Sequence, residues 1–383
     1  MKLKEKIIFH KAITTSREFF KEGTGIKCVH YGDIYKNYSG KKVCSSNIIN
    51  SFANPVAAEK ILYCDSIIVP DVTETVSDWG HFTYIEYDGT PYINGTHAIA
   101  LTCSSKDELK YIFRYLSSNL NRKRLQAYLN GSTVFQINVK DFGLFSLENY
   151  HDNPVDQQHI VDILGSIDDK IENNEKKAAE IFNYGLAYLE KIYDSGNYEK
   201  RQLLSCLSLL KDGTHNPPKR VEKGIPLITG QTINNGFIDY SKMTYIQESD
   251  YKKIHSKYCP LKDDLLITKI GTLGKVAILR DMDIPITVHC NSALLRFNNI
   301  PAALAFFILN SRMFQNEFHQ KKNRTVQEFI NLEQLGNLEI LIPIINAKEE
   351  TTFNIILNQM SHINIENSKL NELKQLYLKK FFG

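Results

Sequence analysis

Gly25-Ile26 followed by Tyr31-Gly32-Asp33-Ile34 opens a pattern that this chain uses twice. The pattern returns about 199 positions later as Gly224-Ile225 followed by Thr229-Gly230-Gln231-Thr232-Ile233. Further along the chain, the spacing between matching residues settles at about 193. This spacing is far above the roughly 20–50-residue period of solenoids and propellers. The repeat therefore predicts two copies of a whole domain together with its connector.

Length and composition fit a two-domain protein. The 383 residues exceed the size at which one hydrophobic core usually keeps growing, and 43% of them are hydrophobic. A formal net charge of +3 is too small to identify a nucleic-acid-binding protein by itself. The seven cysteines are scattered, and no run approaches the roughly 18 apolar residues of a membrane span. We therefore expect a cytoplasmic protein that does not enter a membrane.

Two long helical segments follow the repeated regions. Over residues 155–194, apolar side chains step alternately by four and three positions, which is the seam of a coiled coil. The second segment repeats this seam less cleanly. The predicted helix-pairing residues are Ile160, Leu164, Ile167, Ile171 and Asn174 in the first segment, and Phe353, Ile356, Met360, Ile363 and Asn367 in the second. We expect two helices of ~35–40 residues that pair antiparallel.

Asn174 and Asn367 occupy corresponding positions of the two seams. A buried Asn in a coiled-coil seam lowers stability but specifies the register and the partner. One interpretation is therefore that these residues align the two helices with each other. The alternative is that either Asn lies at a solvated edge.

The predicted fold class is α+β, with two similar globular α/β domains separated by a pair of long antiparallel coiled-coil helices. The first domain covers residues 1–153 and the first helix covers 154–196. The second domain covers residues 197–345 and the second helix covers 346–383. Because each boundary lies where a predicted strand meets a helix, we expect that exchanging the second domain would cut no hydrophobic core.

Within the domains, apolar periodicity predicts several shorter elements. It predicts one continuous helix over residues 108–128 and another over residues 301–318. It also predicts strands over residues 142–147 and 338–345, each leading into a long helix.

Three short motifs resemble catalytic elements, but each lacks a residue that the chemistry needs. Asn216-Pro217-Pro218-Lys219 has a lysine where an adenine methyltransferase needs a stacking aromatic ring. Residues 271–276 lack the spacing and the hydroxyl group of a phosphate-binding loop. Pro70-Asp71 and Glu86 lack the accompanying Glu-x-Lys of a nuclease. The sequence therefore predicts no catalytic activity and no metal site.

Polar and basic loops with interleaved aromatic residues are the remaining candidates. Lys and Arg suit phosphates and guanine edges, whereas Asn and Gln suit adenine. Any one such loop is more often an ordinary solvated surface, but the matched placement in both domains favours DNA binding. The candidate DNA-binding residues are Tyr31, Lys36, Asn37, Tyr38, Lys41, Lys42 and Arg124 in the first domain, and Lys211, Thr214, His215, Lys219, Arg220, Gln231, Asn234, Asn235, Lys269, Thr272 and Arg324 in the second.

These loops resemble a known protein family. Tyr31-Gly32-Asp33-Ile34-Tyr35 with Tyr38 resembles the opening of one class of target-recognition domain in the specificity subunits of Type I restriction-modification enzymes. Lys211-Asp212-Gly213-Thr214-His215, continuing to Gly224-Ile225-Pro226, resembles the opening of another class. The resemblance covers essentially the whole chain, because the family's architecture is domain, long helix, domain, long helix.

The resemblance implies a non-catalytic DNA-specificity subunit. Each target-recognition domain would read one half of a bipartite site in double-stranded DNA, and the helices would set the gap. The implied partners are two methyltransferase subunits and, in the full complex, restriction subunits that translocate DNA. S-adenosylmethionine, ATP and Mg²⁺ are then expected on those partners, and no cofactor is expected on this chain.

A two-headed coiled-coil scaffold that binds protein partners without base recognition is the alternative function. A single-chain restriction enzyme is a third class, but it needs methyltransferase and nuclease motifs that the sequence lacks. Under the first two functions, apolar residues on the helices would bind partner helices. Phe182, Leu189, Tyr377 and Leu378 are predicted to form that exposed surface.

Overall fold

The computed structural model describes residues 1–20, 25–214, 218–240, 243–321 and 328–383, with the backbone alone at Arg17. These residues fall into two units. The first unit comprises residues 1–170 and 370–383, and the second comprises residues 171–369. Each long helix therefore contributes one part to each unit.

The first domain is built from short strands and short helices. Its strands are β1 (Ile8–His10), β2 (Ile26–Val29), β3 (Lys42–Cys44), β4 (Ser51–Phe52), β5 (Ser66–Pro70), β6 (Val72–Thr73), β7 (Thr83–Glu86), β8 (Tyr92–Asn94), β9 (Ala98–Thr102) and β10 (Phe135–Gln136). Its helices are α1 (Tyr31–Asp33), which continues as a π-helical turn over Ile34–Tyr38, then α2 (Lys106–Ser117), α3 (Asn119–Gln126) and α4 (Val139–Gly143). The first long helix, α5 (Pro154–Asp194), follows.

The second domain repeats this construction. Its strands are β11 (Tyr198–Gln202), β12 (Leu207–Asp212), β13 (Ile225–Ile228), β14 (Ile233–Asn234), β15 (Phe237–Ile238), β16 (Thr244–Ile246), β17 (Leu265–Thr268), β18 (Val276–Ile278), β19 (Thr287–Val288), β20 (Ser292–Phe297) and β21 (Glu339–Pro343). Its helices are α6 (Glu248–Ile254), α7 (Ala302–Asn310), α8 (Arg312–Gln320) and α9 (Leu332–Gly336), and the second long helix is α10 (Ala347–Phe382).

The two domains share one sheet topology, which confirms the predicted internal repeat. The order β1-β9-β5-β7 in the first domain corresponds to β12-β20-β17-β18 in the second. A smaller sheet, β4-β2-β8, corresponds to β16-β13-β19, and its central strand is antiparallel to one neighbour and parallel to the other in both copies. The register also matches, because Ile67 pairs with Leu101 as Leu265 pairs with Leu295, and each pair belongs to the larger core of its domain.

The change in spacing between the repeats has a structural origin in one loop. Strand β5 ends at Pro70 and β7 begins at Thr83, whereas β17 ends at Thr268 and β18 already begins at Val276. The first domain therefore has a longer loop at this point. That loop contains β6, which pairs with β10 in a separate two-stranded sheet.

The helices predicted over 108–128 and 301–318 are each broken in two by a serine. Ser118 separates α2 from α3, and Ser311 separates α7 from α8. Both serines have extended backbone, and the hydroxyl oxygen of each accepts a backbone N–H of the following helix. This is an N-cap, which starts a new helix at that point. The apolar periodicity does not show the break because both helices of each pair bury apolar side chains.

The predicted strand over 142–147 is also wrong. Residues Val139–Gly143 form α4 instead, and its N-cap is Asn138, whose side chain accepts the backbone N–H of Asp141. The corresponding prediction over 338–345 is correct, since β21 covers Glu339–Pro343.

Both long helices form, and they pair antiparallel as predicted. Proline at the first position of α5 is favourable because its missing N–H would have no partner within the helix. In the second unit, Asn174 donates to Asn367 at 2.9 Å, and the rings of Tyr188 and Phe353 lie 5.4 Å apart between centroids. As the residue number increases along α5, the number of the contacting residue on α10 therefore decreases.

The hydrophobic core of the second unit crosses the predicted domain boundary. Leu189 and Ile192 of α5, and Phe353 of α10, are buried in the same cluster as Phe307 of the domain. The expectation that an exchange of residues 198–345 would cut no core is therefore wrong. The long helices form one wall of the domain core and do not act only as connectors.

Candidate nucleic-acid interface

The polar loop of the first domain begins with a reciprocal cap. The backbone N–H of His30 donates to Asp33 Oδ2 at 3.1 Å, and the backbone N–H of Gly32 donates to His30 Nδ1 at 3.2 Å. The Asn50 amide also donates to the Asp33 carboxylate, at 2.9 Å to Oδ2. These contacts hold the start of α1 in place. As a result, Tyr31 has a defined position at the beginning of the loop.

Three further segments of the first domain meet this loop. The rings of Tyr31 and His97 lie 5.6 Å apart between centroids in an edge-to-face arrangement. His97 Nδ1 lies 2.8 Å from Asp71 Oδ1, and the Gln136 amide donates to Asp71 Oδ2 at 3.4 Å. We call these four residues, Tyr31, Asp71, His97 and Gln136, the His97 cluster. They come from α1, from the loop after β5, from the residue before β9 and from β10.

A second group of polar side chains lies beside the same loop. The Tyr35 hydroxyl donates to the backbone carbonyl of Val72 at 2.9 Å, and the Tyr35 ring lies 5.0 Å from the ring of His81. His81 also hydrogen-bonds Ser39 and lies 3.3 Å from a carboxylate oxygen of Asp78. Burial lowers the pKa of His81, although the bond to Asp78 partly offsets this effect.

The predicted residues of the first domain fall into two classes. Lys36, Asn37, Lys41 and Lys42 are exposed, Tyr31 is half-buried, and Lys42 Nζ lies 3.4 Å from Glu86. The remaining two residues, Tyr38 and Arg124, interact with the domain itself.

Tyr38 and Arg124 stabilise the fold of the first domain. Tyr38 is buried, and its hydroxyl oxygen accepts the backbone N–H of Ile49 at 2.8 Å. Burial raises the pKa of its hydroxyl group. Arg124 forms an ion pair with Glu148 at 2.5 Å, donates to the Ser146 carbonyl at 3.0 Å and lies 4.9 Å above the Phe145 ring.

Most of the predicted residues of the second domain lie at its surface. Lys211, Lys219, Arg220, Gln231, Asn234, Asn235 and Thr272 are exposed, and Thr214 is half-buried. Lys269 is different: only 5% of it is exposed, and its Nζ lies 2.9 Å from Asp212 Oδ1. His215 and Arg324 lie outside the described residues.

Asn234 and Asn235 face the long helix. They line a cavity of about 310 Å³ together with Ala178, Ala179 and Phe182 of α5. Asn235 has a φ of 49°, in the left-handed region that Asn tolerates better than most residues. The β14–β15 turn that carries them is therefore held next to the helix.

The predicted helix-pairing residues are buried or half-buried, and several of them pack in the cores of the domains. Ile160, Leu164, Ile167, Asn174, Phe353, Ile356 and Met360 are buried, and Ile171, Ile363 and Asn367 are half-buried. The predicted exposed surface is corrected, however, because Leu189 and Leu378 are buried. Phe182 and Tyr377 are half-buried, and the exposed apolar residues of the helices include Tyr184 and Ile355 instead.

Asn174 lies within the seam, and the interpretation as an aligning residue is the one that the contacts support. Only 2% of it is exposed. Its amide donates to Glu366 Oε2 at 2.7 Å and to Asn367 Oδ1 at 2.9 Å. The polar pair therefore links the two helices at one alignment.

Within the described parts of the chain, no group of three or more His, Cys, Asp or Glu side chains could hold a metal ion. Among the same residues, no helix combines the length and apolar character needed to cross a membrane.

Comparison with known proteins identifies the family. Residues 11–183 and 219–375 match the family described as Type I restriction modification DNA specificity domain. The chain belongs to this family. Each matched segment contains one copy of the shared sheets except for the first strand, β1 or β12, so the chain carries the specificity domain twice.

Two relatives of this specificity-domain chain are named specificity subunits. The type I restriction enzyme MjaX specificity subunit of Methanocaldococcus jannaschii is 27% identical over 194 residues, which is 49% of this chain and 45% of the relative. The type I restriction enzyme EcoBI specificity subunit of Escherichia coli is 28% identical over 144 residues, 36% of this chain and 29% of the relative. The matched region spans less than half the length of each relative.

A solved structure has a similar fold over the full chain. The Type I restriction-modification system S subunit from M. genitalium is similar over 100% of this chain and 95% of its own, with a TM-score of 0.55 and 15% sequence identity. The specificity-domain chain therefore shares its fold with that subunit.

Sequence reasoning missed three members of the His97 cluster in the first specificity domain. The sequence places Asp71 only in an incomplete nuclease motif, and no motif singles out His97 or Gln136. The dipeptide Asn94-Gly95 just before His97 is a turn signal that could have directed attention to this loop. No local sequence pattern indicates that Asp71 and Gln136 lie next to His97.

Proposed function

We propose that this chain is the DNA-specificity subunit of a Type I restriction-modification complex. In this proposal, each specificity domain reads one half of a bipartite site in double-stranded DNA. The observation that carries the proposal is that the specificity domain occurs twice in one chain, on the same sheet scaffold but with different loops. A common scaffold with different loops suits two readers of different base sequences.

The long helices are proposed to set the gap between the half-sites. Helix α5 has 41 residues, which corresponds to about 60 Å at a rise of about 1.5 Å per residue. Asn174 of α5 donates a hydrogen bond to Asn367 of α10, which favours one alignment of the two helices. Apolar side chains of α5 pack into the core of the second unit. A helix that is paired along its length and packed against a domain is a stiff spacer.

The proposal assigns catalysis to partner subunits. Methyltransferase subunits would carry S-adenosylmethionine, and restriction subunits would carry ATP and Mg²⁺. This chain would supply DNA recognition and docking surfaces, without a catalytic group or cofactor of its own. Two methyltransferase subunits per chain suit the two copies of the domain, and the complex would act in the cytoplasm.

Phosphate contacts are proposed to supply much of the affinity. Lys36, Lys41 and Lys42 in the first domain, and Lys211, Lys219 and Arg220 in the second, are exposed cations in or beside the polar loops. Such side chains bind DNA of any sequence, whereas contacts to base edges provide specificity. The low net charge of the chain is compatible with this function because the local placement of cations matters more than the total charge.

The test is to express the chain with a methyltransferase partner in a host without other adenine methylation, and to map the methylated adenines. The expected result is one bipartite motif with a fixed gap, which disappears when this chain is left out. Copurification of the two proteins without any methylated motif, and without sequence-dependent DNA binding, would instead favour the protein scaffold.

A further inference from the structure

We propose that His97 reads a base edge in the half-site of the first specificity domain, and that Asp71 and Tyr31 hold it in position. The proposal rests on the function proposed above, and it names a recognition site within that function. The ligand is a base pair of double-stranded DNA.

The backbone at His97 adopts a conformation that is uncommon for this residue type. Its φ is 58°, in the left-handed region where side chains other than glycine are disfavoured. The residue lies directly before β9, and its carbonyl oxygen accepts the backbone N–H of Asp71 at 3.1 Å. The strand on one side and this hydrogen bond on the other hold the residue in place. Residues kept in such a conformation by their surroundings are concentrated at functional sites.

The His97 side chain is oriented but remains accessible. Its Nδ1 lies 2.8 Å from Asp71 Oδ1, and 43% of the His97 side chain is exposed compared with 14% of the Asp71 side chain. A carboxylate oxygen accepts hydrogen bonds, so Nδ1 carries the hydrogen and donates it. Nε2 is then the remaining hydrogen-bonding atom of the ring. This arrangement, in which a partly buried acid orients an exposed imidazole, restricts the directions from which a ligand can bind.

The neighbours of His97 are suited to DNA bases. Tyr31 packs edge-to-face against the imidazole, and Gln136 is exposed while its amide donates to the other oxygen of Asp71. Polar side chains with fixed orientation read base edges in a groove, whereas lysines contact phosphates without reading sequence. Exposed Lys36 lies on the same short helical segment as Tyr31. The cluster therefore combines a candidate base reader with a candidate phosphate contact.

The second domain keeps the scaffold but not the cluster. The backbone N–H of Lys269 donates to the Asn291 carbonyl oxygen at 2.8 Å, as that of Asp71 donates to the His97 carbonyl oxygen, so Lys269 and Asn291 replace the acid and the imidazole. The repeat spacing places Gly230 and Phe329 at the positions of Tyr31 and Gln136. The pairing of β10 with β6 is nevertheless preserved there as a bridge between Ile270 and Phe329. A group of side chains that only serves the common fold would be expected in both copies. A group that reads one particular half-site would be expected in one.

The test uses His97→Gly in the complex with a methyltransferase partner. Glycine accepts left-handed backbone without strain, so the variant is expected to fold and to unfold at the same or a higher temperature. Methylation is expected to tolerate other bases at one or two positions of one half-site, and binding to the original site should weaken by about tenfold. The other half-site and the gap should not change.

Two further variants separate recognition from folding. Asn149→Gly is the matched control, because Asn149 is an exposed residue of the same unit with a φ of 53°, and its replacement should leave the methylated motif unchanged. Asp71→Ala should relax the same positions as His97→Gly but to a smaller extent. The double variant His97→Gly/Asp71→Ala should be no more relaxed than His97→Gly alone, since Asp71 acts through the ring.

Each result bears on a different claim. If the wild-type chain directs no methylated motif, the proposed function itself is wrong. If the wild-type motif is bipartite and His97→Gly methylates the same motif with unchanged affinity, only the role of His97 is overturned. Equal weakening on all DNA sequences, or a lowered unfolding temperature with an unchanged motif, would assign His97 to phosphate binding or to folding and would also overturn it.

Discussion

Two glycines of α5 have opposite surroundings, although they lie in the same helix. A Cβ atom at Gly185 would lie 2.3 Å from a ring carbon of Phe307, which is buried in the core of the second unit. At Gly165, no atom lies within 4 Å of the added Cβ. Glycine is therefore required by packing at one position, whereas at the other it only weakens the helix.

We predict that Gly185→Ala lowers the free energy of unfolding by about 1–3 kcal/mol, because Phe307 must move in a close-packed core. Gly165→Ala is the matched control and should raise the free energy of unfolding by about 0.5–1 kcal/mol. Denaturant unfolding of both variants measures these changes. A stabilising effect at Gly185 would show that the domain does not pack against the helix at this point.

His255 gives the second domain a predictable dependence on pH. It is buried, with Nδ1 3.2 Å from the Tyr258 carbonyl oxygen and Nε2 3.2 Å from Thr287 Oγ1. Burial lowers its pKa below the ordinary value of 6.5, and the bond to Tyr258 offsets this only in part. The folded state thus binds the proton less readily than the unfolded state does, so this contribution to stability is present above about pH 6.5 and is lost as the pH falls below it.

We expect the free energy of unfolding to decrease between pH 7.5 and pH 5, by at most about 1.4 kcal/mol per pH unit for this one group. In the variant His255→Gln, that decrease should be smaller. The comparison is needed because burial also lowers the pKa of His10 and His81. Identical pH profiles for the variant and the wild type would show that His255 does not titrate differently on folding.

At the scale of elements, we predict that the asparagine pair determines how α5 and α10 align. The variant Asn174→Leu loses two hydrogen bonds to α10 and should reduce the free energy of unfolding by about 1–2 kcal/mol. The double variant Asn174→Leu/Asn367→Leu should recover that loss or exceed the wild type, because an apolar seam is more stable. It should also methylate sites with more than one gap length, since the alignment is less specific. A single unchanged gap would show that other contacts determine the alignment. Glu366→Gln, which keeps an acceptor oxygen, serves as the control.

The polar loop that follows α1 is proposed to contact DNA phosphates. We predict that Lys41→Ala weakens binding to all DNA sequences and reduces the log-log salt slope by about one unit. Lys42→Ala should have a smaller effect, because Glu86 already lies near its ammonium group. Lys140→Ala, at an exposed position of α4, is the control and should leave the slope unchanged. If Lys41→Ala preserves the slope but relaxes one sequence preference, the residue reads a base.

The sequence predicts some elements and misses others for physical reasons. The long helices were predictable because their apolar residues repeat with one period over many turns. The breaks at Ser118 and Ser311 were missed because a single serine cap interrupts an otherwise continuous apolar pattern. The breaks were visible in principle, since both serines lie at matching positions of the repeat.

The candidate site was predictable only in part. Exposed lysines in or beside a polar loop can be identified from the local sequence. Lys36, Lys41 and Lys42 are correctly predicted to be exposed in this way. Lys269 was misplaced because the sequence does not show that Asp212 pairs with it in the interior. The His97 cluster was missed because its contacts join residues 26 and 65 positions apart, which only the strand pairing brings together.

At the scale of the whole molecule, the structure changes how the domains should be exchanged. Strands β11 and β21 pair along their length, so the two ends of residues 198–343 meet. The core of the second unit also contains α5 and α10, however, and an exchange limited to the domain would leave mismatched packing at Gly185, Leu189 and Phe353. The suitable segment is therefore the complete second unit, residues 171–369.

The central claim is that the chain reads DNA with two independent domains. The most direct measurement exchanges residues 171–369 for the corresponding unit of a family member with helices of equal length, and maps methylated adenines in cells that also express the methyltransferase partner. Our account predicts that one half of the bipartite motif changes to that of the donor, while the other half and the gap persist. Retention of both original halves, or a change in both halves together, would contradict it.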